Sequence, residues 1–109
     1  MLLYTLDKTR KETGMSKTIE ENPWVWVVVQ DPGGNEQFLG QYDEAEKVSF
    51  IPTFMEKEDA LQCLNLLAKK KGEKYEVQAI EYQELAPRVA EHGFKIFILD
   101  KEGRIVKKP

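Results

Sequence analysis

The chain has one cysteine and one histidine, Cys63 and His92. A thiolate nucleophile needs such a pair to meet in space. The positions argue against a meeting. Cys63 falls beside the apolar stripe of a helical stretch, where a small thiol serves as filler. His92 precedes Gly93 at the end of a second helical stretch, where a protonated imidazole suits the negative end of the dipole. No catalytic residue is therefore assigned. One thiol and one imidazole cannot close a zinc site without two carboxylates. The acids Glu56, Glu58 and Asp59 sit at a helix start, where negative charge is expected, and Asp43, Glu44 and Glu46 form a loop. No metal and no cofactor is expected. The Gly33-Gly34 pair leads into a strand, so it makes a turn and lacks the longer glycine pattern of a phosphate cradle.

Three residues stand out as binding candidates: Glu81, Tyr82 and Arg88. Glu81 and Glu84 flank Tyr82 at a strand-to-helix junction, and such junctions host ligands in open α/β sheets. A small-molecule or substrate pocket at residues 81–88 is the alternative function. The basic residues Lys69, Lys70, Lys71, Lys74, Lys101, Arg104, Lys107 and Lys108 would form a patch if the end of the first helix met the last hairpin. No aromatic residues interleave with them as in single-strand binders, and the net charge is −3. They read as a solvated face, and nucleic acid is not the expected partner.

With 109 residues, the chain has the length of one domain. Such a domain removes roughly two thirds of its unfolded surface from water, enough for a core without metal or disulfide. A lone cysteine excludes an internal disulfide framework and fits a reducing compartment. No apolar run is long enough to span a bilayer. At the N-terminus the apolar Met1, Leu2 and Leu3 precede Lys8, Arg10 and Lys11, the reverse of a signal peptide. A cytoplasmic protein that does not enter membranes is expected.

The elements that must position these residues are legible mainly after residue 22. Residues 1–22 form a polar N-terminal segment with the composition of a partly disordered terminus, and residues 23–109 form one domain. Two readings of residues 1–14 stand side by side. They are an optional leader before Met15-Ser16-Lys17, or a short terminal helix or strand with Leu2, Leu3 and Leu6 packed. Residues 24–30 alternate Trp24, Trp26 and Val28 on one face with Val25, Val27 and Val29 on the other, a strand apolar on both sides. Asp31 to Asn35 make a turn into a second strand near residues 37–42. Residues 47–53 are a third strand, in which Pro52 marks an edge, a bulge or a strand end.

Residues 57–71 are the clearest helix, with Ala60, Leu61, Leu64, Leu67 and Ala68 at helical spacing. Acids open it, Lys69 to Lys71 close it, and Gly72 caps it. Residues 75–81 alternate as a strand. Residues 83–92 make a short helix containing Pro87, ended by Gly93. Residues 94–99 form a strand apolar on both faces, and residues 104–107 return as a charged edge. The predicted architecture is α+β: one mixed sheet of about five strands with two helices packed on one face.

The segment Phe50-Ile51-Pro52-Thr53-Phe54, followed by Met55-Glu56-Lys57-Glu58-Asp59-Ala60, resembles the SseB-type domain family of bacteria. That family shows a similar strand end followed by an acid-opened helix. The strand Val77-Gln78-Ala79-Ile80 and the Leu85-containing helix before Gly93-Phe94 are similar too, so the resemblance covers roughly residues 36–99. It departs where the family has an Asn-Pro-Gly stretch and this chain has Asp100-Lys101-Glu102-Gly103. The resemblance implies a fold, and neither an activity nor a catalytic residue is carried over from it.

If both helices cover one face, Trp24 and Trp26 lie on an uncovered one, and an exposed patch of that kind marks an interface. The expected function is that of a small non-enzymatic domain acting through protein–protein contact. It is expected to form a homodimer through the Trp24 and Trp26 sheet face.

Overall fold

The computed structural model describes residues 2–7 and 24–109, with the side chains of Thr5 and Leu6 alone in the first segment. In chain order the elements are β1 (Leu2–Asp7), β2 (Trp24–Gln30), β3 (Gln37–Asp43), β4 (Val48–Thr53) and α1 (Lys57–Cys63). A 3-10 turn at Leu64–Leu66 follows, then β5 (Tyr75–Glu81), α2 (Tyr82–Glu91), β6 (Lys95–Leu99) and β7 (Ile105–Lys107). Of the two readings for residues 1–14, a strand forms over residues 2–7, and Leu6 is buried in the core. The start at Met15 and the disorder expected up to residue 22 concern residues 8–22, which lie outside the described residues.

The sheet is mixed and has seven strands, more than the five expected. The extra strands have weak signals. β1 comes from a segment read as a polar tail, and β7 has three residues, all exposed. β4 and β6 are parallel, and the other strand pairings are antiparallel.

β3 lies at the centre of a fork. Phe38 has both Leu6 and Val29 as register partners, and Gln41 has both Leu3 and Phe50. A strand has two edges, so β1 takes one edge of β3 while β2 and β4 share the other. Beyond the fork β2 and β4 meet directly, with Trp26 and Phe54 exchanging backbone bonds of 2.8 and 2.9 Å. Pro52 lies between the last β3 partner, Phe50, and the bridge at Phe54. By alternation its missing N–H faces the fork, where no ladder acceptor is required. Pro52 is also the next-to-last residue of β4, which agrees with the strand end among the positions expected of it.

The helices lie on opposite faces, which corrects the expectation of both on one. β2 shows why. Val25, Val27 and Val29 pack with Phe38, Ile51, Ile96 and Ile98 under Leu85 and Val89 of α2. On the other face, Val28 and half-buried Trp26 pack with Leu39, Phe50, Phe54, Phe97 and Leu99 under Ala60, Cys63 and Leu67. A strand apolar on both sides requires a cover on both sides. Phe50 and Phe97 stack at 4.8 Å between ring centroids. Burying side chains of this size contributes about 1.5–3 kcal/mol each.

α1 stops at Cys63 and its 3-10 continuation at Leu66, short of the predicted end at Lys71. The reason is a side chain from a distant strand. Gln41, fully buried on β3, accepts from the Ala68 N–H at 2.9 Å and donates to the Ala68 carbonyl at 2.9 Å. Its amide also donates to the Gly40 carbonyl. Leu67 is extended (ψ 151°), so the chain meets Gln41 as a strand would. Lys69, Lys70 and Lys71 therefore do not stand on a last helical turn. Tyr75 anchors the same connection, its hydroxyl accepting from the Lys70 N–H at 2.7 Å. α2 ends as predicted. Gly93 adopts φ 79°, its N–H bonds to the Ala90 carbonyl, and the Phe94 N–H reaches back to the Val89 carbonyl, the Schellman arrangement.

Candidate functional site

The residues of α2 that face β2, β3 and β5 frame a cleft of about 260 Å³. Val27, Phe38, Ala79 and Ile80 supply its apolar part, and Trp24, Gln78, Glu84 and Arg88 complete the lining. Glu84 and Phe38 both hold Arg88 in place. Glu84, one turn earlier on the helix, pairs with it at 3.6 Å, and its guanidinium lies 5.4 Å from the centre of the Phe38 ring. Only 18 % of the Arg88 side chain is exposed. A guanidinium this covered, over an aromatic face, is a preorganised charge.

The predicted site residues divide. Trp24 and Arg88, chosen as an interface residue and a binding residue, line the same cleft. Glu81 is the register partner of Trp24 and precedes the first turn of α2, with no side-chain bond to the helix N-terminus. Tyr82 opens α2 and packs half-buried against the core. Neither lines the cleft. Trp26 is on the other face, covered by α1, with the Lys57 ammonium 5.6 Å from its ring centre. The open sheet face expected around both tryptophans is therefore not there: Trp26 is covered, and Trp24, at the exposed start of β2, is 58 % exposed. Phe38 and Gln78 were not anticipated. Phe38 reads in sequence as one apolar residue of a hairpin strand, and only the i,i+4 spacing of Glu84 and Arg88 offered a local signal.

Cys63 and His92 do not converge. Cys63 is buried on the α1 face. Burial, with the Asp100 carboxylate adding to it, pushes its thiol above the ordinary value, and Lys69 pulls the other way. A thiol held neutral is a poor nucleophile. His92 is exposed at the end of α2, on the opposite face, its Nδ1 3.0 Å from the Arg88 carbonyl.

The remaining motifs have structural partners. In the Gly33-Gly34 turn the Gly33 N–H donates to Glu36 and the Asn35 N–H to Asp31, so acidic side chains take the donors a phosphate would need. In the last hairpin Arg104 pairs with Asp100 at 3.3 Å and with Glu102, and Lys108 pairs with Glu46. Counter-charges thus interrupt the basic patch. Among the described residues, no group of three His, Cys, Asp or Glu side chains could hold a metal ion. No helix among them is long and apolar enough to cross a membrane. Compared with known protein families, curated proteins and solved structures, the chain matches none of them.

Proposed function

We propose that the chain is a small non-enzymatic domain that works through protein–protein contact, as a homodimer with Trp24 at or beside the interface. The observation that carries this reading is the position of Trp24. It is the exposed end of a strand otherwise largely buried, and it borders a cleft with a fixed guanidinium. Tryptophan and arginine are the residue types enriched where protein contacts concentrate their binding energy. The size of the cleft argues the same way. About 260 Å³ lies below the roughly 300–1,000 Å³ of small-molecule pockets, and it suits an anchoring side chain better than a metabolite. A cytoplasmic setting belongs to the same proposal, supported by the sequence signals and by a single cysteine kept as a buried thiol.

Sedimentation or light scattering over a concentration series tests the proposal. Self-association is expected, and Trp24→Ala should weaken it about tenfold, the loss of roughly 1.4 kcal/mol of contact. A chain that stays monomeric at millimolar concentration would remove the homodimer. The second reading, a small-molecule site, draws on Arg88 over Phe38. It predicts a metabolite that raises the melting temperature of the native chain and not of Arg88→Ala.

A further inference from the structure

Resting on the homodimer reading, the geometry points to a definite contact: we infer that two copies join through the outer edge of β5, antiparallel and centred on Gln78. Among the described residues β5 pairs with β2 alone, along its whole length. The direction of its backbone groups follows from β2. Trp26 exchanges both its bonds with Phe54, so its N–H and C=O point away from β5. Alternation turns Val25, Val27 and Val29 toward β5, where their partners are Ile80, Gln78 and Glu76. The N–H and C=O groups of Tyr75, Val77 and Ala79 therefore face out of the sheet.

The two ends of the strand path from β5 to β7, which β1 joins only as a branch on β3, are built differently. β7 has three exposed residues, is bordered by Arg104 and Lys108, and has a register irregularity opposite Ile98 and Leu99. Short length, basic charge and a bulge all discourage further pairing. β5 has seven residues, with no proline, lysine or arginine and an unbroken register. It has the features of a strand that pairs.

Its sequence selects the partner and the register. With the twofold axis at Gln78, Val77 and Ala79 exchange backbone bonds with the partner's Ala79 and the partner's Val77. Glu76 then faces the partner's Ile80, and Glu81 faces the partner's Tyr75, so no like charges are opposed. An axis at Val77 would oppose Glu73 to the partner's Glu81. An axis at Ala79 would oppose Glu76 to the partner's Tyr82, which belongs to a helix. Only the Gln78 register uses the whole strand without conflict. It also accounts for Trp24. Trp24, Glu81 and the partner's Tyr75 form one row across the seam, which places the exposed indole at its rim.

Gln78 lies opposite its own copy on the axis, and this provides a selective test. Gln78→Lys and Gln78→Glu each place like charges face to face. Each alone should weaken self-association at least tenfold by light scattering, and an equimolar mixture should restore it. Ala79→Pro removes an outward donor without touching the bonds to β2. It should give a monomer whose circular dichroism matches that of the native chain. A mixture that fails to restore the dimer overturns the inference. So does a native dimer that Trp24→Ala dissolves and the Gln78 variants leave intact, although that result keeps the contact reading itself. A native chain that is monomeric throughout overturns both.

Discussion

Gln41 and Cys63 show how much a single side chain decides here. Gln41 bonds through both ends of its amide to one backbone unit, Ala68, from a position with no water access. Gln41→Leu would fill the same space and leave that N–H and C=O without partners. Each unsatisfied group costs about 1–3 kcal/mol when buried. Ala68 is half-buried and recovers part of this from solvent. The expected loss is about 2 kcal/mol in urea unfolding. Cys63 gives a pH dependence. Its thiol value is raised in the fold, so above the unfolded value the unfolded chain gives up a proton that the folded chain keeps. The stability this group contributes is complete below about pH 9 and is lost as the pH rises through the folded value. The urea midpoint of the native chain should therefore fall between about pH 8 and pH 10 more than that of Cys63→Ala. Equal slopes for the two proteins would remove the effect. The sequence marked Cys63 as filler from its place beside the apolar stripe. It could not mark Gln41, whose partner lies 27 residues away and whose neighbours Gly40 and Tyr42 give no sign of it.

Among the elements, legibility followed how locally each one is determined. β2, the Asp31–Asn35 turn and the glycine stop of α2 depend on neighbours in sequence, and they form as predicted. α1 does not, because its apolar spacing continues past Leu66 while the Gln41 clamp draws Ala68 out of the helix. The face each helix covers is also non-local. Alternation shows that β2 and β6 need two covers, and only the crossover paths assign one helix to each. The cleft inherits this limit. Arg88 and Trp24 were each legible, but their meeting depends on α2 lying on the Phe38 side. α2 also carries Pro87 at its sixth position. Proline there lacks the N–H that would bond the Gln83 carbonyl, which water reaches because both residues are exposed. Pro87→Ala should supply that bond. The loss of proline's restriction on the unfolded chain offsets about 0.4–1 kcal/mol of the gain. A net stabilisation of about 1–2 kcal/mol is expected from thermal or urea unfolding. An unchanged or lowered midpoint would show that α2 does not form a regular turn at Pro87.

The whole molecule is organised around β3, and its fork has a consequence for the order of events in folding. β3 joins β2 and β4 through turns of a few residues: Gln30 pairs with Gln37, and Asp43 with Val48. β6 and β7 make a third short hairpin, Leu99 with Ile105, but at the rim of the sheet, whereas Leu6 with Phe38, Phe50 with Lys95 and Trp24 with Glu81 are distant pairings. Closing a short loop costs less entropy than closing a long one, so the two hairpins that share β3 should nucleate, with β5 and β6 zipping on afterwards. The kinetic signature is unequal. Phe38→Leu should slow refolding in a stopped-flow chevron by nearly its full effect on stability, whereas Val77→Ala should act mainly by speeding unfolding. A chain nucleated in this way spends its slowest moments with the three-stranded fork assembled and its outer strands still unzipped.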